Sequence, residues 1–518
     1  MSALAPISGT SYAIAEERVE SRSRIDEVIV TARKRAELLT EVPMTITAVS
    51  GEILMERGIT SITSLPEVTS GLTVSVNANS QVSFRVRGLG SETSSESFEQ
   101  SVPLFIDGMY QGRSQSYVQS MFDIAQVEIV KGTESSLLGK NTSLGAVSLT
   151  TRKPGDELAF NVTTSYEFEL DSHNIESGVD IPLANNMALR LAGQVRKQGG
   201  WVENPLLGED YPETKSVAGR GVFVWEPSSD LDITLLYQRF DTKTLGQPEE
   251  IVTDLSGGGR ARAEVAGYFD FETNLNYVNA SSDPGFGTTK DNMVGNAAIA
   301  TINYDIDGYT LTSVSSYSDY DLFKPFDADL LPGRWAAYDP INQDSKQLTQ
   351  ELRISSPAEG RFNYVAGLFY LTEEWHQDRI WLNPATPPNG LTGEMLEQTD
   401  IELETFSAFG QMNYDITEQF GLTLGLRYTD EERTADFIRE TIVSGLLTSF
   451  LFPEINGNKT RTESHVDGSI GFQYTPNETV LYYASFSRGT KGGGFLNLPT
   501  SIAASEFEEE QADTIELG

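Results

Sequence analysis

The chain has 518 residues and a formal net charge of -38, with 45 Gly, 20 Tyr, 25 Phe, three His and no Cys. That charge excludes a nucleic-acid surface, which needs Lys and Arg against phosphates, and the absent Cys excludes a disulfide scaffold and a thiolate metal site. No window approaches the ~18 uninterrupted apolar residues of a membrane helix, so the 39% apolar content must serve strands and a small core. His173, His376 and His465 fall in separate segments without ligand spacing and read as ordinary surface or loop residues. No nucleophile elbow, zincin helix or dinucleotide fingerprint occurs, so neither an enzyme nor a cofactor site is expected.

Residues 1–24 read as a leader or signal-peptide remnant, weakly apolar and ending its first part in Ala13-Ile-Ala15. Asp26-Glu-Val-Ile-Val-Thr-Ala32 is a short β-prone run before the basic Arg33-Lys-Arg35, and it cannot bury itself without a partner strand. Small-domain α/β texture follows. Pro43 to Val49 predicts a strand, Ser50 to Arg57 a Ser-capped helix ending before Gly58, and Ser61 to Leu65 another helical turn. Two strands carry Val74–Val76 and Val82–Arg87, and Val102 to Gly108 is a further apolar run. The stretches between Gly90 and Val102 and between Gly108 and Met121 read as polar loops, too polar to pack. Ala125–Val130 and Gly145–Thr151 then alternate apolar and polar residues around a loop punctuated by Gly132 and Gly139, which predicts a compact hairpin-like unit. A phosphate-binding loop is ruled out there by Glu134 and Asn141.

Short glycine-bearing motifs are weakly specific one at a time, but four of them occur here in order. Val86-Arg-Gly88, Val102-Pro-Leu-Phe-Ile-Asp-Gly108, Val127-Glu-Ile-Val-Lys-Gly132 and Leu137-Leu-Gly-Lys-Asn141 with Gly145-Ala-Val and Thr151-Arg-Lys-Pro154 resemble the plug domain of TonB-dependent outer-membrane receptors. Thr133, Leu138 and Leu144 depart from the Pro, Tyr and second Gly that the family usually carries. By the same resemblance Asp26, Glu27, Val28, Ile29, Val30, Thr31 and Ala32 look like a TonB box, whose physical use is β-augmentation of a partner's sheet.

After Pro154 the texture changes to long amphipathic strands. Met187, Leu189, Leu191 and Val195 oppose Arg190, Gln194 and Arg196; Leu422, Leu424, Leu426 and Tyr428 oppose Thr423, Gly425 and Arg427. Val466, Ile470, Phe472 and Tyr474 oppose His465, Asp467 and Gln473 in the same way. This is the dyad of a strand with lipid on one side and water on the other. Short turns near 184–186, 226–230, 305–308, 356–361, 415–419 and 475–478 alternate with long polar connections at 198–216, 241–290, 321–345, 376–400 and 431–463. Such sorting is expected of a barrel with one periplasmic and one external rim.

The predicted fold is therefore mainly β: a TonB box and linker at 25–35, a small α/β plug domain at 36–155 and an antiparallel transmembrane β-barrel at 156–518. About 13 strands are counted, with another starting at Ala512, where plugged barrels have about 22. The final Asp513-Thr-Ile-Glu-Leu-Gly518 and Phe486 to Phe495 resemble family signatures that lie well before the C-terminus, so a fragment lacking roughly 200 residues is expected.

What the resemblance implies is gated import across the outer membrane of a Gram-negative bacterium, most often of a ferric siderophore or similar small nutrient ligand. The partners would be TonB with its ExbB and ExbD motor and outer-membrane lipid, and no nucleic acid. Phe98, Tyr110, Gln111, Arg113 and Tyr117 are the candidate ligand contacts, and Arg87, Lys131 and Glu516 the candidate plug–barrel contact. The rival readings are a passive outer-membrane channel and a secreted carbohydrate-binding or hydrolytic β protein. For the last, Glu373 and Glu374, or Glu508 to Glu510, are candidate paired carboxylates.

Overall fold

The structure, a computed structural model, describes residues 28–31, 33–77, 81–91, 95–204, 209–246, 290–327, 337–383, 392–477, 479–497 and 499–518. The leader, Asp26, Glu27 and Ala32 lie outside the described residues.

The small domain is built as its local sequence dictates. Ser50 caps the helix Gly51–Glu56, its hydroxyl accepting from the Ile53 amide at 3.3 Å, and Gly58 follows with φ +69°. Ser61 likewise caps the 3-10 turn Ile62–Glu67. A five-stranded mixed sheet runs in the order Ile46–Ser50, Ile124–Lys131, Gly145–Thr151, Leu104–Ile106, Met109–Gln111. The central pair is antiparallel with Val127 opposite Leu149, and Leu104–Ile106 joins Gly145–Thr151 in parallel. The hairpin Leu72–Val76 with Val82–Val86 packs beside it. Ile62, Leu65, Phe84, Leu104, Val127, Ile129, Val147 and Leu149 form the core, and Val222, Leu236, Ile299 and Val314 from the large sheet complete it. Each such side chain contributes about 1.5–3 kcal/mol on full burial, so the same apolar contacts that fold the small domain also seat it against the wall.

Among the described residues that wall is one antiparallel sheet of fourteen strands, each pairing with its neighbours in the sheet from Ala159–Glu167 to Glu510–Leu517. Its polarity is reversed relative to a soluble core. Arg190, Gln194 and Arg427 face inward and are buried, whereas Leu191, Val195, Leu426, Tyr428, Val466 and Phe472 are exposed on the outer surface. Lipid is the solvent such a surface fits. Near the short-turn rim an aromatic girdle is present: Phe420 stacks on Tyr474 at 4.5 Å and Tyr474 on Tyr482 at 6.4 Å. All six expected short turns connect successive strands.

Among the described residues the fourteenth strand, expected to start at Ala512, runs from Glu510 to Leu517. One expectation needs correction. The segments 321–345, 376–400 and 431–463 are, in their described residues, largely strand, since Tyr309–Asp327, Ala337–Ser355, Phe362–Asn383, Gly393–Asp415, Phe420–Val443 and Ile455–Asn477 run on into them. The reason is physical: beyond the lipid both faces of a strand meet water or polar side chains, so hydrophobic alternation fades although the ladder of backbone bonds continues. Burial still alternates along Gly393–Asp415 where hydropathy does not.

Candidate functional site

The first described residues fold back on the plug. Ile29 and Val30 pair with Leu38 and Glu37, which supplies the partner strand the run requires. Val30 is 1% exposed and Ile29 53%, so one side of this ribbon is sealed and the other open. Thr31 donates its amide to the Glu128 carboxylate at 2.9 Å and its hydroxyl at 3.1 Å, and Gln126 donates to the Ile29 carbonyl at 2.8 Å. The basic triplet then reaches the wall. Arg33 bonds Asn413, Lys34 pairs with Glu351 at 2.8 Å, and Arg35 bonds the Tyr364 carbonyl and, at 3.3 Å, the Ser356 hydroxyl. These wall residues sit at strand ends beside short turns, so the N-terminal strand is held at the short-turn rim. Thr31, Lys34, Arg35 and Ala36 line a cavity of about 470 Å3 there, between plug and wall.

Of the predicted plug–barrel residues, Arg87 and Glu516 come together at 3.2 Å. Glu516 also accepts from Tyr483 at 2.6 Å and from Thr45, and Arg87 donates to Thr45 at 3.0 Å. Lys131 is turned away from Glu516 and donates to the Ser70 carbonyl at 2.8 Å. The Arg87 side chain is 43% exposed, so this pair belongs with exposed bridges worth ~0–1 kcal/mol.

The desolvated links lie deeper. Arg113 holds Glu373 of the wall by two bonds, and the side chains are 3% and 1% exposed. Glu99 of the plug meets Arg433 at 2.6 Å and Lys140 at 3.1 Å; Lys140 and Arg433 both pair with Glu431. Burial acts to raise the Glu99 carboxyl, but Lys140, Arg433 and Arg113 prevail and hold it below the ordinary range. Tyr110 donates to Glu99 at 2.9 Å and accepts from Asn141 at 2.9 Å. Charges taken out of water in this way are stable only when every partner is in place.

The five predicted ligand contacts are thus placed unequally. Tyr110, Gln111, Arg113 and Tyr117 are buried, Tyr117 packing on Phe84 at 5.5 Å and donating to the Gln111 carbonyl at 3.0 Å. The segment Ser114–Ser120 is a 3-10 turn packed onto the plug, contrary to the expectation that it is too polar to pack; Ser116 bonds Gln111 and the Arg113 carbonyl, and Tyr117 the Gln111 carbonyl. Phe98 is half-buried, edge-on to Phe507 at 4.7 Å with the Lys491 ammonium 5.9 Å away. Glu373 and Glu374 point to opposite sides of their strand, one buried and one exposed, and so form no carboxylate pair. Glu99, Lys140, Glu431 and Arg433 escaped sequence reasoning because 431–463 reads as a loop, although Glu431 and Arg433 share strand parity.

The family described as TonB dependent receptor-like, beta-barrel matches residues 228–518, and the TonB-dependent Receptor Plug Domain matches 39–146. The pesticin receptor of Yersinia pestis is 20% identical over 98% of this chain and 69% of its own length. The ferric aerobactin receptor of Klebsiella pneumoniae is 22% identical over 88% of this chain and 64% of its own. Among solved structures, the ferric yersiniabactin uptake receptor FyuA from Yersinia pestis aligns with a TM-score of 0.76 at 18% identity, covering 92% of this chain and 69% of that one. The siderophore receptor PiuA from Acinetobacter baumannii aligns with a TM-score of 0.72 at 16% identity, covering 96% and 72%. The chain thus spans about two thirds of the length of these relatives. With its plug seated against an antiparallel wall that is apolar outside and polar within, it belongs to the TonB-dependent receptor family of outer-membrane proteins.

Proposed function

We propose that the protein is an active importer of a scarce ligand, a ferric siderophore or similar iron complex, driven by TonB with its ExbB and ExbD motor. The observation that carries this reading is the N-terminal strand at the short-turn rim. Among the described residues it is paired through Ile29 and Val30, and it exposes one side, so a competing strand from a periplasmic partner can replace Glu37–Leu38 at small cost. Pulling on it draws first on Thr31–Glu128 and then on the triplet Arg33 to Arg35, which borders the cavity at that rim. The iron complex as cargo is supported by the relatives, whose names include ferric aerobactin and ferric yersiniabactin receptors. Phe98, exposed in part beside Lys491 and Phe507, is the first-contact residue in this reading, and Tyr110, Gln111, Arg113 and Tyr117 shape the plug beneath it. A passive channel needs an unobstructed lumen, which the Arg113–Glu373 and Glu99–Arg433 bridges between plug and wall oppose.

The test is uptake of radiolabelled ferric yersiniabactin and ferric aerobactin by cells expressing the protein, with and without TonB. Accumulation that requires TonB supports the reading; equal accumulation in both strains would reject it.

A further inference from the structure

The connection that leaves the strand Val480–Lys491 at the outer end of the wall turns inward instead of out to solvent, and Gly492 to Phe495 are all buried. Three glycines make the passage. A Cβ would lie 2.7 Å from the Glu463 carboxylate at Gly492, 2.6 Å from the Phe507 carbonyl oxygen at Gly493 and 2.8 Å from the Arg433 guanidinium at Gly494. Beyond the passage Gly494 and Phe495 pair with Phe507 and Glu506 as a short hairpin within the lumen.

This hairpin and the residues beside it are fastened to both bodies. Phe495, 0% exposed, enters an apolar cluster of the wall with Trp375, Ile401, Ala435 and Phe437, while its carbonyl accepts from the Ser97 hydroxyl of the plug at 2.6 Å. Asn497 bridges the same two bodies through polar atoms. Its carboxamide bonds Ser95 and Glu96 of the plug and donates to Gln377 of the wall at 2.9 Å. Its backbone carbonyl accepts from Arg379 at 2.9 Å and from Thr399 at 3.2 Å, both on the wall. Gly492 donates to Asn141 of the plug at 3.1 Å, and Phe507 covers Phe98 edge-on.

The closed arrangement leaves groups on the wall unsatisfied. Gln343 and Gln377 face each other on adjacent strands, each 2% exposed. Both amide atoms of Gln343 and the amide nitrogen of Gln377 have no hydrogen-bond partner among the described residues. Burying such groups is unfavourable, and admitting water relieves it. The outer part of the connection is held by exposed charges, since Arg461 bonds Glu508 and Glu509, whose side chains are 82% and 47% exposed. Bridges of that kind contribute little.

We propose that this hairpin is a strap: it closes the lumen over the apex of the plug, and it lifts as a unit about Gly492 to Gly494 to uncover Phe98. Lifting separates Asn497 from Ser95 and Glu96, so opening the mouth and freeing the apical loop of the plug are one event.

The chain has no Cys, so an introduced pair reports without interference. A Cβ on Gly457 of the wall would lie 3.5 Å from Cγ1 of Ile502, in the turn Ile502–Ala504 that precedes Glu506, close to the Cβ separation of about 3.5–4.5 Å that a disulfide spans. Gly457→Cys with Ile502→Cys should therefore staple the strap to the wall and leave the plug untouched. Hydrogen exchange of the full chain in detergent is compared with the staple oxidised and reduced. The Leu496 and Asn497 amides, bonded to Ser505 and Ser95, should exchange about tenfold more slowly in the oxidised form, and Phe495→Ala without the staple should speed both by a similar factor. Equal exchange in the two forms would overturn the proposal, and should the disulfide not form, unchanged exchange in Phe495→Ala would do so. In cells the oxidised staple should stop accumulation of ferric yersiniabactin and ferric aerobactin, and reductant should restore it. This second arm rests on the import reading; accumulation indifferent to oxidation would overturn the strap, and if neither complex accumulates even in the reduced form, the import reading fails and the exchange arm decides.

Discussion

Arg113 of the plug and Glu373 of the wall meet through two parallel bonds, Nε to Oε1 at 2.7 Å and Nη2 to Oε2 at 3.0 Å. Both are nearly sealed from solvent, whereas Arg87 in the Arg87–Glu516 pair is 43% exposed. Removing one partner of a buried pair costs about 3–5 kcal/mol because the other is left uncompensated, and an exposed bridge contributes ~0–1. Glu373→Ala should therefore loosen the plug, seen as raised entry of large antibiotics and a lower urea midpoint, while Arg87→Ala should change little. Similar losses in the two variants would contradict this ranking.

The N-terminal strand gives a second expectation. Proline removes a ladder donor and fixes φ, so Ile29→Pro or Val28→Pro should abolish TonB-dependent uptake while ligand binding to whole cells persists. Glu128→Ala, which removes the acceptor for the Thr31 amide and hydroxyl, should instead expose the segment to protease from the periplasmic side without blocking uptake. Uptake surviving both proline substitutions would remove the box assignment.

Stability should also depend on Glu134 of the plug loop. Burial pushes its carboxyl up to about 7, Arg33 opposing and Glu516 assisting. Between about pH 4.5 and 7 the unfolded chain releases a proton that the folded chain keeps, so this contribution to stability falls as pH rises through that window and the penalty is complete above it. Glu134→Gln should match the wild type in Tm near pH 4 and exceed it near pH 8. A Tm difference that does not vary with pH would show that Glu134 does not titrate in this window.

Two glycines test the geometry of the plug loop. Gly139 has φ +115°, and a Cβ there would lie 3.3 Å from the Arg427 guanidinium; at Gly145, with φ +141°, it would meet the Val130 carbonyl oxygen. A non-glycine residue in such a conformation costs about 1–3 kcal/mol, so each alanine variant should lower the urea midpoint, Gly145→Ala more because backbone cannot move aside as a side chain can. An unchanged midpoint for Gly145→Ala would disprove the constraint.

The legible parts of the sequence were those where one local rule decides. Ser50 before an apolar turn announces a helix, and alternation of Leu422 to Tyr428 announces a membrane strand. Illegible were the parts that water and lipid do not distinguish. Glu431 and Arg433 look like loop residues because their strand is polar on both faces outside the lipid, and only the plug explains why its inner face is buried. Tyr117 likewise reads as a ligand contact in a polar stretch, yet its ring completes the core against Phe84. The pairing of Arg87 with Glu516 was within reach because both residues fall in recognisable signatures; the partner of Lys131, a backbone carbonyl, carries no side-chain signal at all.

The wall is lopsided. Its early strands span 9 to 16 residues, from Ala159 to Leu245, whereas the four from Phe362 to Asn477 span 22 to 24. At a rise of about 3.3 Å per residue, a 24-residue strand is roughly 80 Å long, and about nine to eleven residues suffice to cross the lipid. More than half of each long strand therefore stands outside the bilayer as a parapet on one flank of the mouth. An antibody or phage approaching that flank meets rigid, hydrogen-bonded sheet instead of pliable loops, and a protease added to whole cells should find its cleavage sites concentrated at the strand tips.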